Sequence, residues 1–205
     1  PAFFLSTLLC LLPTVGQTAV AASPDGGGPR ASDPGSALLF DGADDRAIIP
    51  VAPAAFYHAS TWTIEFWMYR QSGDNVVHVV GQRSGCDQNF PFQIAGDPSG
   101  GYGVGWTGPT GSCGMTLAQI PNETWAHIAV TCDGNFVRGY VNGEFTSMMY
   151  ACPNEPVDQP LVVGGSGGCS SRFPGYLDEL RLWRIAKDAA RIAYEYDSTV
   201  NGRPD

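Results

Sequence analysis

The clearest pattern in the chain is a run of alternating apolar and polar positions over residues 125–150. Successive residues of a β-strand point to opposite faces of a sheet, so this alternation predicts strands. The predicted strands are Trp125–Cys132, Phe136–Val141 and Glu144–Tyr150. Asn142-Gly143, between the last two, is the strongest short-range signal for a hairpin turn. The segment is therefore predicted to be an antiparallel meander.

Further β-prone runs lie on both sides of this meander. In residues 61–69, large side chains occupy both faces, with Phe66 on one and Trp67 on the other, which indicates a central strand covered on both sides. The remaining strands are predicted over residues 37–40, 47–51, 76–81, 92–95, 102–106, 161–164 and 176–183. A short amphipathic helix is predicted over residues 189–196, with Asp188 as its N-cap.

Composition narrows the fold class. The chain has 205 residues, of which 43% are hydrophobic and 15% charged, and this suits one globular domain with a sizeable core. The 26 glycines and 16 prolines form turn dipeptides at short intervals, a spacing typical of an all-β sandwich or barrel. The sequence therefore predicts an all-β protein with a short C-terminal helix.

The formal net charge of -9 limits the classes of partner. Lys187 is the only lysine in the sequence. An acidic surface repels phosphate backbones, so a nucleic-acid partner is not expected, and docking to anionic lipid headgroups is disfavoured.

The two ends of the chain differ from its body. Residues 1–22 are mostly apolar, and Ala19 and Ala21 match the small-residue pattern of an export cleavage site, so they are predicted to be an export signal or a retained membrane anchor. Residues 23–36 are a flexible linker rich in glycine and proline, residues 37–198 the domain, and residues 199–205 a tail. The protein is thus expected to be exported to the periplasm or the extracellular space, either free or attached to a membrane.

The cysteines fit export as well. Outside the N-terminal segment there are five, an odd number, so one is free or intermolecular. Cys132 falls on the predicted core face, where a buried thiol is ordinary. The disulfides are therefore predicted as Cys86–Cys113 and Cys152–Cys169. A zinc site is not predicted, because no CxxC or histidine pair occurs.

Five short segments in a fixed order resemble a known family. They are LLFDG at 38–42, TIEFW at 63–67, WAHIAVT at 125–131, VRGYVNG at 137–143 and GYLDELRLW at 175–183. Together they resemble the laminin-G-like (LamG-like) jelly rolls of the concanavalin A-like lectin/glucanase superfamily, over residues 37 to about 196. The resemblance implies two antiparallel sheets packed face to face.

Some members of that superfamily are glycosidases, and a retaining glycosidase needs a pair of acids at its active site. Such enzymes place two carboxylates about 5 Å apart. Here Trp67 follows Glu65 where a second acid would stand, and Asp178 and Glu179 are adjacent and predicted to face opposite sides. A non-catalytic protein is therefore expected.

A structural Ca²⁺ ion is the cofactor that the resemblance implies. Relatives often hold the ion between the first turn and the last strand, and Asp41 and Asp178 match those positions. The alternative is that Asp41 caps a turn, and that Asp178 faces solvent or pairs with an arginine.

Tyr102 and Trp106 are the candidate ligand-stacking residues, since aromatic rings suit both sugar faces and protein contacts. The alternative is that both rings belong to the core. Two functions remain open: an exported recognition or scaffolding module that binds a glycan or protein through its loops, and a structural accessory subunit of a membrane complex (respiratory or photosynthetic, for example), attached through residues 1–22.

Overall fold

The computed structural model of the chain describes residues 37–50, 61–82, 90–108, 111–151, 160–166 and 171–197. The strands are β1 Leu38–Asp41, β2 Ala47–Ile49, β3 Trp62–Arg70, β4 Val77–Gly81, β5 Phe90–Gly96, β6 Gly101–Gly108, β7 Gly111–Gln119, β8 Trp125–Cys132, β9 Phe136–Val141, β10 Glu144–Tyr150, β11 Leu161–Val163 and β12 Pro174–Trp183, and helix α1 is Ala189–Glu195. No helix in these ranges is long and apolar enough to cross a bilayer.

The strands form two antiparallel sheets. The first sheet has the order β1-β12-β3-β8-β9-β10 and the second the order β2-β11-β4-β5-β6-β7. The meander predicted from the alternating pattern is confirmed, because β8, β9 and β10 are consecutive neighbours in the first sheet. The predicted all-β jelly-roll sandwich with a short helix is therefore the observed fold.

The main core lies between the two sheets. It is formed by the inward-facing residues of the central strands. Examples are Phe66 of β3 and Ile128 of β8 in the first sheet, and Phe92 and Val104 in the second. All eight residues of β8 are buried, and so are all but one of the nine residues of β3. A strand buried on both faces is what the aromatic residues on both sides of β3 predicted.

The outer face of the first sheet is covered by the C-terminal segment. Helix α1 begins after Asp188, whose carboxylate accepts a hydrogen bond from the Arg191 backbone N–H, so the predicted N-cap is confirmed. Ile192 packs against Ala129 and Tyr140 of the sheet. This covering layer explains why β3 and β8 have no solvent-facing side.

A buried ion pair holds the C-terminal segment against the first sheet. Lys187 Nζ lies 2.6 Å from Glu65 Oε1 and 2.8 Å from Glu195 Oε2, and it sits 3.9 Å from the centre of the Trp183 ring. Trp183 Nε1 also donates to Glu65 Oε1 at 2.8 Å. The side chains of Lys187 and Glu65 are 0% and 1% exposed. The only lysine of the chain is therefore part of the interior.

Strand β7 was not predicted. Its sequence, GSCGMTLAQ, has few apolar residues, and two glycines interrupt the alternation. The strand forms because it pairs with β6 along its length, from Gly101 opposite Gln119 to Gly108 opposite Gly111. Pairing with a neighbour, rather than local propensity, decides its conformation.

The cysteine predictions are tested only in part. Cys132 is a buried thiol at the end of β8 and forms no disulfide, as expected. Cys113 is disulfide-bonded. Cys86, Cys152 and Cys169 lie outside the described residues, so both pairings stay predictions.

Candidate functional site

A polar pocket opens at one end of the sandwich, where β3 ends and β4 begins. It has a volume of about 200 Å³ and is called the rim pocket here. Three segments surround it: the turn after β1, the loop between β3 and β4, and the stretch leading into β12. The lining residues are Asp41, Gly42, Arg70, Ser72, Gly73, Asn75, Val77, Arg172 and Pro174.

Arg70 is the last residue of β3, and its side chain points between the sheets beyond the end of the core. It is 1% exposed. One terminal nitrogen, Nη1, donates to the Asp97 carbonyl at 2.5 Å, and Nη2 donates to the Asn75 carbonyl at 2.8 Å. Its Nε has no hydrogen-bond partner in the described part of the chain. The guanidinium thus fixes two loops at this end while keeping one donor unused.

Arg172 is the second cation of the rim pocket and is partly exposed. It lies in the segment before β12, where its Nη1 donates to the Ser166 carbonyl. Its aliphatic stem runs over Gly165, and a Cβ placed on that glycine would come within 2.9 Å of Arg172 Cδ. Its Nε, like that of Arg70, meets no acceptor among the residues described.

The acidic side of the pocket is Asp41, which is exposed. Asp41 Oδ1 accepts hydrogen bonds from the backbone N–H groups of Ala43 at 2.7 Å and Asp44 at 3.4 Å, an Asx-type turn. The carboxylate oxygens of Asp41, Asp44 and Asp45 lie within 4.8 Å of one another. The alternative interpretation of Asp41 as a turn-capping residue is therefore observed.

Strand register separates the two residues predicted to share a calcium ion. Asp41 pairs with Pro174, whereas Asp178 lies four positions further along β12. At roughly 3.3 Å per residue the separation along the strand is about 13 Å, too far for one ion. Asp41 and Asp178 therefore cannot both bind one ion, and the predicted structural Ca²⁺ itself stays a prediction.

Asp178 faces the outer layer of the first sheet, opposite Trp67. Burial raises the pKa of its carboxyl to about 6, since desolvation penalises the charged form. Its Oδ1 accepts a hydrogen bond from the Glu179 backbone N–H at 2.8 Å.

Asp178→Asn is expected to stabilise the protein at pH 7.5 by about 1–2 kcal/mol, a value discounted for partial solvent access. The folded pKa is raised, so the wild type loses stability as the pH rises from the ordinary value of 3.8 through about 6. Asparagine keeps the acceptor for Glu179 without titrating. Urea unfolding at pH 4 and pH 7.5 measures the difference, and a gain that is equal at both pH values would contradict this account.

Of the two predicted ligand-stacking residues, the structure describes the side chain of only one. Tyr102 is 2% exposed and belongs to the main core, where its ring lies over Gly96 of the neighbouring strand. Placing Tyr102 on a ligand surface is therefore corrected, because its ring fills the space that the glycine leaves. The side chain of Trp106 lies outside the described residues, so its role stays a prediction.

Two strand carboxylates, Glu65 and Glu179, are each paired with a cation. Glu65 is buried against Lys187. Glu179 lies on a bulge of β12 with a backbone φ of 52° and accepts from Arg181 Nη2 at 2.9 Å. In the ranges the structure covers, neither residue forms a pair of facing acids across an opening.

The sequence interpretation missed Arg70 and Arg172. A signal for Arg70 exists, since it is a lone cation directly after the long apolar run of β3. Arg172 follows a stretch of glycine and serine and has no such signal.

Comparisons with known proteins agree with the fold. A model of the family Laminin_G_3, described as the concanavalin A-like lectin/glucanases superfamily, matches residues 41–193. No curated protein matches the chain by sequence.

Three solved structures illustrate the likeness of fold. The binding domain of Paraclostridial Mosquitocidal Protein 1 superposes with a TM-score of 0.65 at 13% identity, over 78% of this chain and 42% of that one. The CBM40 domain of Ruminococcus gnavus IT-sialidase, bound to α2,3-sialyllactose, gives 0.62 at 11% identity over 78% and 96%. Domain 4 of the extracellular arabinanase AbnA of Geobacillus stearothermophilus, in complex with arabinotriose, gives 0.62 at 18% identity over 88% and 82%. The chain thus spans less than half of the mosquitocidal binding domain.

Proposed function

Because the chain belongs to the Laminin_G_3 family of the concanavalin A-like lectin/glucanase superfamily, we propose that it is a non-catalytic module that recognises a glycan at the rim pocket. Structures with the same fold include a carbohydrate-binding domain in complex with sialyllactose and an arabinanase domain in complex with arabinotriose. At this level of identity the likeness concerns the fold, so the choice of site depends on the pocket itself.

The observation that supports glycan binding most directly is the convergence of polar groups in a small opening. Carboxylate, hydroxyl, amide and guanidinium groups from three segments line about 200 Å³. Pockets for drug-sized ligands have volumes of roughly 300–1,000 Å³, so this smaller pocket suits one sugar ring or its substituent. Sugars need several donors and acceptors placed around one ring, and the lining of the rim pocket offers both.

A recognition role without catalysis agrees with the carboxylates described above. Retaining hydrolysis needs a nucleophile and an acid about 5 Å apart. Glu65 and Glu179 are both ion-paired, with Lys187 and Arg181 respectively. Export, periplasmic or extracellular location, and the alternative of a membrane-complex subunit depend on residues 1–22, which lie outside the described ranges. They remain proposals.

A pocket-filling variant tests the site. Gly73 lines the pocket, and a Cβ added there meets only Pro174 Cγ, at 4.0 Å, so Gly73→Leu is expected to fill the pocket without straining the backbone. The full chain is applied to a glycan array, and the bound sugars are titrated by calorimetry. Wild-type dissociation constants between about 1 mM and 1 μM are expected, and Gly73→Leu should weaken binding at least about tenfold.

The matched control is Asn135→Leu. Asn135 is exposed, in the turn after β8. Because Cys132 pairs with Trp62 and Trp125 with Tyr69, that turn lies at the opposite end of the first sheet from Arg70. This control should bind like the wild type. Binding that Gly73→Leu leaves unchanged would place the site elsewhere, and the absence of binding to every glycan class would overturn the proposed function.

A further inference from the structure

We propose that the rim pocket selects an acidic sugar, whose anionic group is bound by Arg172 and Arg70. This inference rests on the proposed function, because it specifies the class of glycan that the pocket takes. It comes from the two guanidinium groups that line the opening.

In the part of the chain that the structure describes, no salt bridge balances the charges of the two arginines. Each donates to backbone carbonyls, and within the described ranges neither has a carboxylate at salt-bridge distance. Removing a cation from water is costly unless an opposite charge compensates it. Arg70 bears that cost at 1% exposure. An anion in the pocket would supply the missing compensation.

The unused donors give the anion a place to bind. The Nε atoms of Arg70 and Arg172 are both buried and without an acceptor in the described structure. Arg172 is partly exposed and so is the residue that an incoming ligand reaches first. A guanidinium binds carboxylate and sulfate oxygens through parallel N–H donors, which is the geometry that distinguishes an acidic sugar from a neutral one.

The acidic residues near the rim pocket do not cancel the positive charge of Arg70 and Arg172. Asp41 lines the pocket, whereas Asp44 and Asp45 do not, and Glu123 accepts a hydrogen bond from Ser72 at 2.9 Å. Asp97 also lies in the field of Arg70: its hydrogen bonds with Ser99 and Gly101, and in smaller part the charge of Arg70, lower the pKa of its carboxyl. Asp41, Glu123 and Asp97 are all exposed, so water screens their charges far more than that of the buried Arg70. Asp41 is nevertheless the one acid in the lining, and its removal should strengthen anion binding.

The test uses the full chain and pairs of sugars that differ in charge. Calorimetry at low salt compares an oligogalacturonide with its methyl ester, and a sulfated oligosaccharide with its unsulfated form. We expect the charged member of at least one pair to bind about tenfold tighter, with the advantage falling as salt is added. Arg172→Gln should remove that advantage. Arg138→Gln, which changes a partly exposed arginine at the far end of β9, should not.

A second variant keeps the test decisive if Arg172→Gln does not fold. Asp41→Asn retains the acceptor for the Ala43 and Asp44 N–H groups while removing the negative charge. It should raise the affinity for the charged sugar relative to the neutral sugar about threefold. Preference for the galacturonide assigns the anion to a carboxylate, and preference for the sulfated sugar assigns it to a sulfate ester.

Three results would overturn the inference in different ways. Equal affinity for charged and neutral sugars, with Gly73→Leu still blocking both, would reject the acidic sugar and leave the proposed function intact. Failure of every sugar to bind would reject both. Tighter binding of charged sugars that neither Arg172→Gln nor Asp41→Asn alters would reject the assignment to these residues.

Discussion

Lys187→Met is expected to destabilise the domain by about 3–5 kcal/mol. The substitution leaves Glu65, which is 1% exposed, without the ammonium group that lies 2.6 Å from its Oε1. Breaking a buried pair by removing one partner is strongly unfavourable because the remaining charge is uncompensated. Arg181 offers only a longer contact to Glu65, at 3.7 Å. Equilibrium unfolding in urea at pH 7.5 measures the loss.

Two further variants separate the buried charge from the loss of a side chain. The double variant Glu65→Gln with Lys187→Met removes both charges and should recover much of the stability. Arg138→Met breaks the Arg138–Asp133 pair, whose side chains are 29% and 33% exposed, and should cost less than about 1 kcal/mol. If Lys187→Met costs no more than Arg138→Met, the buried pair does not stabilise the covering layer as argued.

His127→Phe is expected to protect the domain from acid. Burial, together with the charges of Arg181 and Lys187, lowers the pKa of the His127 imidazole to about 3. The unfolded chain takes up this proton below pH 6.5 and the folded protein does not, so wild-type stability falls as the pH drops from 6.5 towards 3. At pH 4 the difference amounts to about 3 kcal/mol. Phenylalanine cannot titrate, and it keeps a ring between Trp67 and Tyr196.

The measurement is the free energy of unfolding from pH 7.5 to pH 4 for both proteins. The two curves should separate below pH 6.5, whatever the packing of the phenylalanine costs at neutral pH. Asp178→Asn is a useful comparison, because its effect has the opposite dependence on pH. Parallel curves for the wild type and His127→Phe would show that His127 titrates normally in the folded state.

Much of the fold could be predicted because its signals are local. The alternation of β8 and β9, the Asn142-Gly143 turn and the Asp188 cap each depend on residues a few positions apart, and each is observed. Strand β7 was missed because its glycines give no alternation, and it forms only by pairing with β6. Local patterns therefore identify the strands that have their own propensity and miss those that their neighbours impose.

The rim pocket could not be predicted, because it is made by tertiary contacts. Arg70 and Arg172 belong to segments far apart in the sequence and meet only once β3 and β12 pair, with Gly175 opposite Arg70. Tyr102 was wrongly predicted to contact a ligand because its position also depends on tertiary contacts. An aromatic residue facing glycines can contact a ligand or a neighbouring strand, and only the register with Gly96 decides between them.

The burial of Lys187 has a consequence for chemical labelling. It is the only lysine in the sequence, and in the folded domain its side chain is 0% exposed. Reagents that acylate primary amines therefore reach this ε-amino group only when the C-terminal segment lifts away from the first sheet. The rate of acylation at this single position reports how often that layer opens, independently of unfolding of the whole domain.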